Sequence, residues 1–105
     1  MFYEFRQNNS GGAWGGPAMT VFIEADSGEE ANSIAENNGL YFDGVGAGLD
    51  CECCGDRWYR KHDNSEGTAE LPNVETPREI YAEWSRRDKV DFTVAFFKDG
   101  RKEVL

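Results

Sequence analysis

Met19-Thr20-Val21-Phe22-Ile23-Glu24-Ala25-Asp26-Ser27-Gly28-Glu29-Glu30-Ala31-Asn32-Ser33-Ile34-Ala35-Glu36-Asn37-Asn38-Gly39-Leu40 changes its hydrophobic period midway, and that change decides the fold class. From Met19 to Ala25 the apolar side alternates (Met19, Val21, Ile23, Ala25), with Thr20, Phe22 and Glu24 on the other side, as in a strand. Beyond Ser27, the apolar residues Ala31, Ile34 and Ala35 fall at the three- and four-residue spacing of a helix. Ser27 and Glu30 form a capping box, and Asp26, Glu29 and Glu30 suit the positive end of the helix dipole. Gly39 occupies the closing position that wants positive φ, and Leu40 can pack back on the helix. A strand running into a helix whose buried face is small predicts a helix seated closely on a sheet.

Working outward, Phe2 to Arg6 is aromatic and extended in character, a first strand. Gln7 to Pro17 holds four glycines and a proline and reads as a long loop. Within it Trp14 is either an anchor to the core or an exposed contact. Downstream, Leu40 to Val45 and Arg57 to Lys61 read as third and fourth strands, and His62 to Val74 as surface loop. Thr76 as N-cap, Pro77 and Glu79 start a second helix, with Ile80, Tyr81 and Trp84 on its buried face and Arg86 and Arg87 at its end. Val90 to Phe97 alternates again, with Val90, Phe92, Val94 and Phe96 on one face. Lys98-Asp99-Gly100-Arg101 is a hairpin turn that returns the chain through Lys102 to Leu105 as an edge strand. The order β-β-α-β-β-α-β-β predicts a single α+β domain over residues 1–105, a mostly antiparallel sheet with two helices packed on one face.

Composition bounds the function. A hydrophobic content of 39%, with 13% aromatic, supports a real core and excludes wholesale disorder. The net charge of −9 is uneven: residues 1–50 carry eight acids against one base. Such a chain is repelled by phosphate backbones and anionic membranes, so direct nucleic-acid binding and membrane adhesion are disfavoured. It can instead meet a basic partner, or the charge serves solubility. Three cysteines, two of them adjacent, leave a thiol free after any internal pairing, which points to a reducing compartment. The residues from Met1 to Arg6 lack the pattern of a signal peptide, and no apolar run reaches membrane-spanning length. The expected location is the cytoplasm.

All three cysteines lie in Asp50-Cys51-Glu52-Cys53-Cys54-Gly55-Asp56-Arg57-Trp58, behind the glycines Gly44, Gly46 and Gly48. Cys51 and Cys54 have the spacing of half a zinc knuckle, and Gly55 frees the backbone to turn its amides toward sulfur. His62, the single histidine, is the third candidate ligand. Cys53, Asp50 or Asp56 could complete the site, or two chains could share one ion. Zinc would then pin the glycine- and cysteine-rich loop. The alternative is a tight turn of small apolar cysteines. An iron–sulfur cluster needs four thiolates, more than the chain holds. Redox thiol chemistry is opposed by Asp50, Glu52 and Asp56, which raise a thiol pKa. Asp43, Asp50 and Asp56 are a weak option for a divalent cation. The glycines lack the lysine and helix of a phosphate-binding loop. No catalytic constellation emerges. Arg6, Gln7, Asn8, Asn9, Trp14, Asp56, Arg57 and Trp58 form a candidate ligand-binding set, able to hold a nucleotide-like molecule by stacking and hydrogen bonding. The plainer alternative has the asparagines serving turns and the arginines pairing with acids.

Met1-Phe2-Tyr3-Glu4-Phe5-Arg6-Gln7-Asn8-Asn9-Ser10-Gly11-Gly12, Gly39-Leu40-Tyr41-Phe42-Asp43-Gly44-Val45 and the Asp50 to Trp58 run together resemble a family of small proteins encoded by tailed bacteriophages. Ile23-Glu24-Ala25-Asp26 and Glu30-Ala31-Asn32 fit the same pattern. The resemblance runs from the start of the chain to Trp58. It lends no catalytic residue. It implies an accessory protein in the bacterial cytoplasm that acts by binding, an associational warrant. The expectation is a non-enzymatic protein that neutralises a host protein, a component of anti-phage defence being one candidate. The alternatives are a module that sequesters a small nucleotide-like signal and a zinc-dependent enzyme built on His62.

Overall fold

The computed structural model describes residues 1–8, 14–50, 52, 55–62, 67–71 and 79–105, with Glu79 to Ala82 described through their backbone alone. Six elements follow in chain order: β1 (Phe2–Arg6), β2 (Ala18–Glu24), α1 (Gly28–Asn37), α2 (Glu79–Asp88), β3 (Asp91–Phe96) and β4 (Lys102–Val104). The strands form one sheet in the order β1-β2-β3-β4. The outer pairings, β1 with β2 and β3 with β4, are antiparallel, and the central pairing of β2 with β3 is parallel. The fold is α+β with a mixed, mostly antiparallel sheet. A parallel pair cannot be joined by a tight turn, so the chain from α1 through α2 serves as the crossover.

Register explains the core. Val21 lies opposite Phe5 on one side and Val94 on the other, and Ile23 lies opposite Tyr3 and Phe96. Those six residues therefore share one sheet face. Ala25, Ala31, Ala35, Leu40 and Trp58 complete the same buried cluster. The small face of α1 works as its sequence implies, since Ala31 and Ala35 are fully buried. The other face of β2 is not solvent-facing as alternation alone suggests: Phe22 is buried, as are Thr93 and Ala95 beside it. A central strand is covered on both sides.

The helix signals hold in detail. Ser27 Oγ accepts from the Glu30 N–H at 3.1 Å, while the Glu30 carboxylate reaches back to the Asp26 N–H at 3.4 Å. At the far end Gly39 has φ +99°, and the Leu40 N–H donates to the Ala35 carbonyl at 3.0 Å, closing the helix. Where α1 uses Gly39, α2 uses Lys89 at φ +55°, and the Val90 N–H donates back to Ser85 O at 3.1 Å. The proposed cap at Thr76 and Pro77 lies outside the described residues, as do the side chains of Ile80 and Tyr81. The β3–β4 turn is as expected, with Gly100 at φ +87° and the Phe97 N–H donating to Arg101 O at 2.8 Å.

Two expected strands are corrected. Leu40 to Val45 is not a strand, because its backbone is engaged locally: Leu40 caps α1, Ala47 N–H bonds Asp43 O, and the N–H groups of Leu49 and Asp50 both reach Gly44 O. Asp43 itself sits at φ +56°, incompatible with an extended run. Arg57 to Lys61 is not a strand either, and its backbone meets the β1 side at its start alone among the described bonds. Its Arg57 carbonyl accepts from the Asn8 N–H at 2.7 Å, and Thr68 exchanges two hydrogen bonds with Phe2 farther on. Between those ties the Asn32 amide takes both backbone groups of Lys61, at 2.7 Å each, and draws the chain onto α1.

Candidate functional site

The Asp50 to Trp58 stretch is held by a polar network that begins with a glycine. A Cβ on Gly44 would lie 1.9 Å from Asp50 Oδ2 and 2.8 Å from the Tyr41 ring, so only glycine admits the carboxylate here. Asp50, its side chain 1% exposed, accepts from the Tyr41 hydroxyl at 2.7 Å and from the Arg57 N–H at 2.8 Å. The Arg57 guanidinium, 13% exposed, stands 3.8 Å from the same carboxylate through Nε. That Nε donates to the Tyr41 oxygen at 3.1 Å, and Nη1 donates to Gln7 Oε1 at 2.8 Å. Gln7 then donates to the carbonyls of Gly15 and Ala18 and accepts from the Gly15 N–H. Burial, followed by the bond to Asp50, pushes the Tyr41 phenol above its ordinary pKa. The network joins the glycine- and cysteine-rich loop to the end of β1 and the start of β2. Each of its charged groups is desolvated and paired, so its chemistry is that of a clamp.

The candidate ligand-binding residues do not converge on one pocket. Arg6 follows Phe5 on β1, so its side chain leaves from the face opposite the aromatic cluster; it is 78% exposed and pairs with Glu4 at 3.4 Å. Asn8 is tied by its backbone to Arg57. Asn9 lies outside the described residues. Trp14 lies against Trp84 with ring centroids 5.7 Å apart, and its backbone N–H donates to Asp88 Oδ2 at 3.0 Å, which makes it an anchor between the β1–β2 loop and α2. Arg57 belongs to the clamp. Trp58 is 1% exposed and belongs to the core. Asp56 accepts from the Val45 N–H at 2.9 Å and, with Trp58, Phe42, Tyr59, Arg60 and His62, lines an open cleft of about 210 Å³.

Of the candidate zinc ligands, Cys51, Cys53 and Cys54 lie outside the described residues. His62 is exposed at the cleft rim. Asp50 is fully engaged in the clamp. Among the described residues no group of three or more His, Cys, Asp or Glu side chains is placed to hold a metal ion. Sequence reading placed Gln7 in the ligand-binding set and passed over Tyr41; both are partners of Arg57. The signal for Gln7 was available: it continues the inward-facing positions of Tyr3 and Phe5 at a spacing of two.

The chain belongs to the family described as a domain of unknown function, DUF7296, whose model matches residues 1–105. No curated protein and no solved structure matches it. Among the described residues no helix is long and apolar enough to cross a membrane.

Proposed function

We propose that the chain is a non-enzymatic binding protein, encoded by a tailed bacteriophage, that neutralises a protein in the host cytoplasm, a defence component being the candidate. The observation that carries this reading is the clamp. Asp50 and Arg57 of the cysteine-bearing stretch, with Tyr41 ahead of it, are engaged with one another and hold the loop in shape. A loop fixed at this cost in buried charge suits a surface that must be presented rigidly to a partner. The acidic first half supports a basic partner surface. The test is capture from host lysate at saturating bait, followed by native mass measurement of the complex rebuilt from pure components. A single host protein in fixed stoichiometry, its activity lost on binding, is the expected result; no such complex overturns the reading.

A nucleotide-like ligand is the second reading, favoured by the aromatic and cationic lining of the cleft at Phe42, Tyr59 and Arg60. The cleft falls below the roughly 300–1,000 Å³ of ordinary small-molecule sites, which is why the protein partner is preferred. A thermal-shift panel of cyclic nucleotides with no response rejects it. Zinc held by Cys51 and Cys54, with Cys53 and His62 completing the set, is the proposed pin of the loop. Elemental analysis of the untagged protein should give one zinc per chain, or one per pair if two chains share it; none returns the stretch to a tight turn.

A further inference from the structure

The clamp and the core together build one side of the open cleft. Asp56 and Tyr59 flank Arg57 and Trp58; Asp50 fixes the Arg57 N–H, and Trp58 is buried. The backbone between them is therefore held, while their own side chains line the cleft. Tyr59 is 59% exposed, and its hydroxyl lies back over the loop, where a Cβ on Gly55 would come within 3.3 Å of it. Asp56 is half-buried and accepts from the Val45 N–H at 2.9 Å through Oδ1. Among the described residues no other donor reaches its carboxylate, so Oδ2 keeps its lone pairs.

The other side of the cleft is closed on itself. Arg60 pairs with Asp43 at 2.8 Å and lies over the Phe42 ring at 5.3 Å. Lys61, next in the chain, does not line the cleft; its ammonium stands over the Phe5 ring. His62 at the rim is neutral in the formal charge at pH 7. With Arg60 and Asp43 offsetting each other, Asp56 is the carboxylate left for a guest. At about 210 Å³ the cleft is too small for an ordinary ligand and has the size of one long side chain. A carboxylate beside an exposed aromatic ring suits a guanidinium, whose fork meets the carboxylate while its plane lies on the ring.

We propose that the cleft takes an arginine side chain from a basic surface of a partner protein, its guanidinium bonded to Asp56 and stacked on Tyr59. The inference rests on the binding role proposed above and names its surface. It agrees in sign with the acidic first half of the chain, which draws a basic partner from a distance while the cleft holds one residue of it. An anchor that enters a preformed pocket is the kind of contact that carries most of an interface's energy. A second copy of this chain is the poorer occupant, since each carries −9.

The probe is a capped glycine–serine peptide with one central arginine, compared with the same peptide carrying citrulline or lysine, titrated into the full chain at physiological salt. Amide signals of Val45 and Asp56 and the ring signals of Tyr59 report the cleft. The net charge attracts arginine and lysine alike, so the difference between them reads the cleft itself. The arginine peptide should bind at least about tenfold tighter than the citrulline one, and tighter than the lysine one. Asp56→Asn keeps an acceptor for the Val45 N–H and removes the charge, so it should abolish the arginine preference at an unchanged melting temperature. Glu103→Gln removes the same charge from β4 and should leave the preference intact. Should Asp56→Asn melt early, Tyr59→Ala, which removes an exposed ring, must abolish the preference instead. Equal binding of the arginine and lysine peptides, or a preference that survives Asp56→Asn or Tyr59→Ala, overturns the proposal. A host complex that survives both variants would retain the binding role and reject this surface, whereas arginine binding lost in Asp56→Asn without any host complex would do the reverse.

Discussion

Asp50 shows how a residue's role can change between sequence and structure. In the sequence it is one more acid beside the cysteines and a spare zinc ligand. In the fold it is a buried carboxylate whose position is fixed by the missing side chain of Gly44. Its partners Tyr41 and Arg57, and Gln7 beyond Arg57, come from three separate stretches, so no local pattern could show them meeting. Removing one partner of a buried pair leaves the other uncompensated, typically at about 3–5 kcal/mol. Asp50→Ala should therefore lower unfolding free energy by about 3 kcal/mol in urea titrations, while the exposed Asp99→Ala should change it little. Lys89 offers the opposite test. Its φ of +55° is a position where a non-glycine residue costs about 1–2 kcal/mol. Glycine there loses some of that gain through its freer unfolded chain. Lys89→Gly should still raise stability by about 0.5–1 kcal/mol, and a decrease would show that the Lys89 side chain carries a contact of its own.

Where an element is set by local chemistry, its sequence was readable. The Ser27–Glu30 cap, the Gly39 closure and the Asp99–Gly100 turn are all satisfied within a few residues of themselves. Two segments rich in strand-forming residues were misread for a shared reason: their backbones are satisfied by something other than a neighbouring strand. Leu40 to Val45 folds back on its own carbonyls. Arg57 to Lys61 is captured by Asn32, whose amide copies the pairing a strand would supply. The aromatic residues that made both segments look extended, Tyr41, Phe42 and Trp58, instead reach the core or its border from irregular backbone. Asn32→Ala should release the Lys61 backbone and cost about 1–3 kcal/mol. Amide exchange at Lys61 should rise in the variant; an unchanged rate would show that α1 is not what holds this segment off the β1 edge.

Beyond single elements, the molecule is tied together by contacts between segments far apart in sequence, and one of these sets its response to acid. The Asp88 carboxylate, at the end of α2, accepts from Arg87 Nε at 2.9 Å and Nη2 at 2.8 Å, and from the Trp14 N–H at 3.0 Å. The Arg87 bonds, then that from Trp14, hold its pKa at about 2, below the ordinary 3.8. Asp26 is likewise lowered, by its bond to Lys98, which fastens the β3–β4 turn to the approach of α1. A carboxylate whose folded pKa is depressed adds stability above its unfolded value and loses it as pH falls toward the folded one. Stability should thus be level from neutrality to about pH 4 and decline from there toward about pH 2, the folded value of Asp88. Asp88→Asn keeps an acceptor for the Trp14 N–H but cannot titrate. Its urea midpoint should start lower near neutral pH and fall less steeply through the acid range. Asp26 is exposed and Asp88 is half-buried beside the exposed Arg87, so added salt should flatten part of the wild-type decline as well. A variant whose acid limb runs parallel to the wild type would place the titration elsewhere and remove Asp88 as the electrostatic link between the β1–β2 loop and α2.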